Sequence, residues 1–356
     1  MTTIQANNYT IYFNQECYVF LNTYLEEKKY SKIIILADSN SNEVVLPIFL
    51  ADIATEIPIE IIEIEPGEEN KNIHTCLSIW ETLTDLGADR KSVIINVGGG
   101  VITDLGGFVA STYKRGIDFI NVPTTLLAMV DASIGGKNGV DLGILKNQIG
   151  TINVPNAVLI DTHFLATLPQ TQMRSGLAEM YKHGLIFSKS YWDKLLDLSQ
   201  LTSDDLDLLI HESIQIKNTI VVQDPTENGI RKCLNFGHTL GHAIESYCLE
   251  NKNKTTLLHG EAIAIGMILE SHIAWQKKYL TLEEFKQVKN TLLAMYDLVK
   301  FTPEDIDAIL ELLIHDKKNE YGKVQFALIE KIGKSLINQQ ADNKEIAFSF
   351  SDYNSY

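Results

Sequence analysis

Short apolar runs alternate with helical periods through the first half of the chain. Residues 32–37 are apolar and β-branched and end at Asp38-Ser39-Asn40; residues 58–64 form a second such run. Residues 72–86 repeat apolar positions at helical spacing and stop at Gly87. Residues 92–97 run straight into Gly98-Gly99-Gly100, 119–122 end at Pro123, and 157–160 are followed by Asp161. Short apolar strands separated by helices predict an α/β fold with a parallel sheet covered on both faces. From about Gln170 helical periods dominate, over 191–216, 239–248, 260–276 and 282–294. Only 324–329 reads as a late strand, and 250–256 reads as a polar surface loop. The pattern predicts an α/β domain over 1–169 and a mainly helical domain over 170–356, divided at Leu168-Pro169.

With 356 residues, 45% of them hydrophobic, the chain is long enough for two cores. A net charge of -16 argues against nucleic acid or an anionic membrane as partner. Yet Lys137, Lys146, Lys182, Lys217 and Arg231 all fall in motif-rich segments, which suits a small anionic substrate. Each alone reads rather as a solvated charge. Cys17, Cys76, Cys233 and Cys248 are scattered without CxxC spacing, as expected of a reducing cytoplasm. The first residues lack the pattern of a signal peptide, and no apolar run approaches the ~20 residues of a membrane span.

His238 and His242 lie four apart in an apolar, helix-compatible run, so their imidazoles share one helix face. Such a pair can converge on one metal ion or one anion. His259 opens another helical period, and Glu179 lies three residues before Lys182. Three His/Glu groups with an open fourth position describe a catalytic metal site better than a structural one. The plain alternative for any one histidine is a core or capping residue. Gly98-Gly99-Gly100 lies between a strand and a helix, the arrangement that receives a phosphate or pyrophosphate. It is not GxGxxG, because position 103 is Thr; Asp131 and Asn138 exclude a Walker A loop at Gly135-Gly136-Lys137. A tight structural turn is the alternative there.

The motifs Gly98-Gly99-Gly100-Val101-Ile102-Thr103-Asp104, Tyr113-Lys114-Arg115-Gly116, Val122-Pro123-Thr124-Thr125, Asp131 through Gly135-Gly136-Lys137, and Lys146-Asn147 are followed by Ala178-Glu179-Met180-Tyr181-Lys182, Asn235-Phe236-Gly237-His238 through Glu245, and Leu258-His259-Gly260-Glu261. Together, from about Asp38 to Lys318, they closely resemble 3-dehydroquinate synthase. The resemblance implies a Rossmann-like NAD domain, a helical metal domain and an active site in the cleft between them. It implies conversion of 3-deoxy-D-arabino-heptulosonate 7-phosphate to 3-dehydroquinate and phosphate in the shikimate pathway, with NAD regenerated in each turnover. One divalent metal, zinc or cobalt, is expected on Glu179, His238 and His259. His242 is then assigned to proton transfer and phosphate contact, whereas spacing alone would make it a ligand.

By the same resemblance, Lys137, Asn147, Asn235 and one of Lys317 and Lys318 cradle the substrate phosphate, with Arg115 reaching in from a neighbouring subunit of a homodimer. Lys217 and Arg231 hold the carboxylate; Asp131, Lys182 and Glu227 surround the reacting hydroxyls. NAD is expected on Asp38, Asn40, Glu68, Lys71, Gly99, Gly100, Asp104, Thr124, Thr125, Lys146, Thr167 and Leu168. Asn40, Thr167 and Leu168 read equally as turn or cap residues. The chain departs from the family pattern at Asn138, usually Thr, at Leu145, commonly Gly, and in a longer loop before His259. Cyclases acting on sugar phosphates without a carboxylate would leave Lys217 and Arg231 without a partner, and those making 2-deoxy-scyllo-inosose typically carry Glu at position 235. A metal-dependent polyol dehydrogenase would share the architecture but release NADH.

Overall fold

The computed structural model describes residues 1–143, 145–199, 201–313 and 324–356. They divide into two units, Met1–Met173 and Arg174–Tyr356. In the first unit the strands are β1 (Ile4–Gln5), β2 (Thr10–Phe13), β3 (Lys32–Asp38), β4 (Ile59–Ile64), β5 (Ser92–Gly98), β6 (Asp118–Pro123), β7 (Lys137–Leu142), β8 (Leu145–Ile152) and β9 (Ala157–Ile160). The helices are α1 (Gln15–Lys28), α2 (Ser39–Val44), α3 (Leu46–Ala51), α4 (Ile73–Asp85) and α5 (Gly100–Thr112). One sheet has the order β1-β2-β9-β6-β5-β3-β4, and every neighbouring pair except β1–β2 is parallel.

Ile34, Leu36 and Ile94 share one buried cluster with Cys76, Ile79 and Leu83 of α4 and Ile102, Leu105 and Val109 of α5. Their strand neighbours Ile33, Ile35 and Ile95 point to the other face and are buried as well. Burial on both faces is why these strands read as continuous apolar runs rather than as an alternation. Each such side chain contributes about 1.5–3 kcal/mol of transfer free energy. From β3 the chain goes outward to β4, then returns to β5 on the other side and continues to β6 and β9. The order therefore reverses between β3 and β5. In open α/β sheets, ligands bind beyond the C-terminal strand ends at such a point. Asp38 ends β3, and Gly98 ends β5.

The hairpin β7–β8 was not legible in the sequence. It pairs Gly139 with Gly150, and a Cβ on Gly150 would lie 2.3 Å from the Asn138 carbonyl oxygen. Two strands this close need glycine at the crossing, and β8 shows no apolar alternation to announce it.

The second unit is mainly helical: α6 (Gln170–Phe187, beginning at the boundary), α7 (Lys189–Lys194), α8 (Ser203–Gln223), α9 (His238–Glu250), α10 (His259–Gln276), α11 (Leu282–Met295), α12 (Pro303–Leu313) and α13 (Asn343–Asn354). The helical period expected over 191–216 is two helices. Thr202 starts α8 with a capping box: its hydroxyl accepts the Asp205 N–H, and the Asp205 carboxylate accepts the Thr202 N–H. The single late strand is a hairpin of β10 (Phe326–Lys331) and β11 (Lys334–Gln339), turned at Gly333 with φ +88°. Among the described residues no helix is long and apolar enough to cross a membrane.

Candidate active site

Three helices of the second unit carry the candidate metal ligands. Glu179 and Lys182 lie one turn apart in α6, His238 is the first residue of α9, and His259 is the first of α10. Gly237, at φ +79°, turns the chain into α9; a side chain there would be strained. The Gly260 N–H donates to Ser175 Oγ of α6 at 2.9 Å. A Cβ on Gly260 would lie 2.0 Å from the Ser175 carbonyl oxygen, so α6 and the start of α10 meet backbone to backbone. The Leu258 N–H ahead of His259 donates to Glu261 Oε2 at 2.8 Å.

The donor atoms converge. Glu179 Oε1 lies 3.4 Å from His238 Nε2 and 3.8 Å from His259 Nε2. The other oxygen, Oε2, is ion-paired with the buried ammonium of Lys182. The second nitrogens of both histidines are engaged: His238 Nδ1 donates to the Phe236 carbonyl and His259 Nδ1 to Glu245 Oε2, each at 3.1 Å. In the neutral rings, those bonds favour the tautomer that leaves the lone pair on Nε2, the outer arrangement that orients metal-binding histidines. Burial lowers the pKa of His259, but Glu245 and Glu179 more than offset this and raise it to about 10. The position thus favours a positive charge. Two imidazoles and one carboxylate oxygen suit zinc or cobalt. His242 joins the same cluster: ligand atoms of His238, His242 and His259 all lie within 4.8 Å of one another. His242 thus stands in one cluster with His238 and His259, while Glu179 Oε1 faces those two rings.

The second unit also holds buried cations. Lys217 of α8 and Arg231 are both buried. Arg231 lies in the 3-10 turn Ile230–Asn235, where its Nη1 donates to the Pro225 carbonyl at 2.6 Å. Asn235 Nδ2 donates to Glu227 Oε1 at 2.8 Å. Glu227 itself sits at φ +61°, a backbone state that costs about 1–3 kcal/mol and concentrates at functional sites.

In the first unit several of the expected nucleotide residues, Asp38, Gly99, Gly100, Thr124 and Thr125, lie at the ends of β3, β5 and β6. The Asp38 carboxylate caps α2 by accepting the Ser41 N–H at 2.8 Å, and the Thr124 N–H donates to the Gly98 carbonyl at 3.0 Å. Gly99 precedes α5, and its ideal Cβ would be 3.1 Å from the Thr125 methyl, so the glycine permits close approach rather than an unusual φ. Lys71 Nζ lies 2.6 Å from Asp104 and 3.8 Å from Glu68, while Lys146 Nζ lies 2.9 Å from Glu68 and 3.9 Å from Asp141. Burial opposes the charge on Lys71, but Asp104, Glu68 and Asp141 outweigh it and hold the ammonium protonated.

Asp131 lies in a π turn, Ala128–Ala132, a local form found often at functional sites. Lys137 opens β7; Asn147 lies in β8 at φ +51°, its N–H donating to Asp141 Oδ1 at 2.6 Å. Arg115 is exposed at φ +70° in the turn Tyr113–Arg115. Thr167 Oγ1 bonds the Phe164 carbonyl of its own turn, and Leu168 closes that turn; Asn40 is exposed on α2. For these last three the cap or turn reading accounts for what is seen. Lys317 and Lys318 lie outside the described residues. Sequence reasoning missed Asp141, which anchors Lys146 and Asn147, and the role of Glu245 against His259. Glu245 follows His238 by seven and His242 by three residues, a spacing that puts all three on one helix face.

Known proteins resemble this chain along most of its length. The N-terminal model of 3-dehydroquinate synthase matches residues 61–175 and the C-terminal model matches 176–319. A 3-dehydroquinate synthase of Parabacteroides distasonis is 41% identical over 335 residues, 94% of each chain. Among solved structures, a 2-epi-5-epi-valiolone synthase from Streptomyces hygroscopicus with NAD+ and Zn2+ bound has a TM-score of 0.85 at 25% identity, over 100% of this chain and 99% of that one. A 2-deoxy-scyllo-inosose synthase complexed with carbaglucose-6-phosphate, NAD+ and Co2+ has a TM-score of 0.83 at 26% identity, over 99% of both chains. The motif order, the α/β and helical units and these matches along nearly the whole length lead to one assignment: this chain belongs to the 3-dehydroquinate synthase family.

Proposed function

We propose that this chain converts 3-deoxy-D-arabino-heptulosonate 7-phosphate to 3-dehydroquinate with loss of phosphate, as a phosphate-eliminating lyase. The observation that carries the reading is the convergence of Glu179 Oε1 with His238 and His259 in a unit that also buries Lys217 and Arg231. A bound zinc or cobalt ion on Glu179, His238 and His259 would supply Lewis-acid polarisation of substrate hydroxyls. NAD, held by the residues at the β3 and β5 strand ends, would supply the transient oxidation at C5 and its reversal.

The chain's own groups do the rest. Lys217 and Arg231 bind the carboxylate, where charge-assisted bonds are strongest. Lys137, Asn147 and Asn235 hold the phosphate, and His242 carries a proton at that end, the task suited to a histidine. Asp131, Lys182 and Glu227 orient the hydroxyls. Lys182 also neutralises Glu179 Oε2. Arg115, exposed on its turn, serves the neighbouring copy in a homodimer. The reading includes a cytoplasmic location, supported by four buried, unbridged cysteines.

The test is phosphate release from this substrate with NAD far below the substrate concentration and zinc or cobalt present. Many phosphates per NAD without NADH accumulation are expected. Accumulating NADH would replace the reading with a dehydrogenase, and absence of phosphate would turn it toward sugar phosphates lacking a carboxylate.

A further inference from the structure

Glu270 lies in α10 and is fully buried. Its carboxylate reaches α9: Oε2 accepts the Gly237 N–H at 2.6 Å, and Oε1 accepts the Leu240 N–H at 3.1 Å. Gly237 is the cap residue of α9 and has no side chain to satisfy the first-turn N–H groups. The neighbouring helix supplies that cap instead, and a carboxylate there also meets the positive end of the α9 dipole. Glycines let the two helices come this close. A Cβ on Gly266 would lie 2.0 Å from the Gly237 carbonyl oxygen, and one on Gly241 would lie 3.1 Å from the Ala262 carbonyl oxygen.

His238 begins α9 and His259 begins α10. A pair of bonds that pins the first turn of α9 to α10 therefore also sets one imidazole against the other. We propose that Glu270 is a positioning residue for the metal centre, fixing His238 relative to His259 by capping α9 from α10. The inference rests on reading Glu179, His238 and His259 as the metal ligands. It gives a role to a buried carboxylate that the reaction itself does not use.

The test measures zinc affinity of the full chain by competition with a chromophoric chelator, and the visible absorption of the cobalt-loaded protein. It compares the wild type, Glu270→Gln, His238→Ala and a core variant of similar melting temperature, Ile210→Ala in α8. The amide keeps one acceptor but sets its NH2 group against a backbone N–H. Glu270→Gln is expected to weaken zinc binding about ten- to a hundredfold and to shift the cobalt absorption, whereas Ile210→Ala leaves both unchanged. If the amide variant does not accumulate folded, Glu270→Asp is measured instead; its reach is one methylene shorter, and the same loss is expected. Wild-type zinc affinity and cobalt absorption in the Glu270 variant, with binding lost in His238→Ala, would overturn this inference alone. A wild type that binds no zinc would remove the metal reading and this inference with it.

Discussion

Gly260→Ala sets two effects of opposite sign against each other. In an open helix position, alanine stabilises relative to glycine by up to about 1 kcal/mol. At Gly260, however, the new Cβ would lie 2.0 Å from the Ser175 carbonyl oxygen and 2.5 Å from Ser175 Cα. Both are backbone atoms, so no side chain can rotate away. Relief to ordinary contact requires α6 and the start of α10 to separate by about 1.4 Å, and overpacking of this kind costs about 1–3 kcal/mol. The contact wins, and the protein should be less stable. The separation also moves His259, adjacent to Gly260, away from Glu179 on α6. A metal site tolerates about 0.2 Å in its ligand distances, so zinc affinity should fall at least tenfold. Thermal unfolding and chelator competition read the two consequences. Ser175→Ala is the comparison: it removes only the Oγ that accepts the Gly260 N–H and should cost about 1 kcal/mol with little change in zinc affinity. A Gly260→Ala protein that is more stable than wild type, or that holds zinc equally well, would refute the reasoning.

Arg231→Ala should raise KM for the carboxylate-bearing substrate by tenfold or more, the worth of about 1.5–3 kcal/mol for a hydrogen bond to a charged group. NAD affinity should be unchanged; an unchanged KM would mean that the carboxylate binds elsewhere. Lys71→Met removes the cation that Asp104, Glu68 and Asp141 share, and should destabilise the first unit by about 3 kcal/mol in denaturant unfolding at neutral pH. Asp305 gives a pH signature. Burial raises its pKa, but bonds from Lys254, Tyr247 and the Thr302 N–H lower it further, to about 2. A depressed carboxyl pKa contributes stability that is present above the unfolded value near 3.9 and lost as pH falls toward 2. The wild type should therefore lose about 2 kcal/mol across that window that Asp305→Asn does not lose. Parallel melting curves for the two proteins from pH 5 to pH 2 would contradict this.

The sheet was readable because burial on both faces leaves one mark, an unbroken apolar run, and β3 and β5 carry it plainly. What escaped was structure defined by backbone approach. The β7–β8 hairpin is set by Gly139 opposite Gly150, and the second late strand by the turn at Gly333. A glycine in a sequence marks permission for a close contact without naming the partner. The break between α7 and α8 was different: the Thr202 to Asp205 capping box is a local signal, and the helical period over 191–216 overrode it.

The candidate metal centre shows the same division between local and distant information. The i, i+4 spacing of His238 and His242 is local, and it rightly predicts one helix face and a shared cluster. It cannot say which ring nitrogens look at which carboxylate, because Glu179 and His259 come from other helices. That choice depends on where α6, α9 and α10 touch. Three features fix those contacts: Ser175 against Gly260, Gly237 against Gly266, and Glu270 across the start of α9. None of them is a ligand, and each would read as unremarkable core or helix in the sequence. Spacing along one helix proposes a set of ligands; the seams between helices select among them. In this family member, ligand geometry should therefore respond to substitution at those seams as sharply as to substitution of the histidines' immediate neighbours.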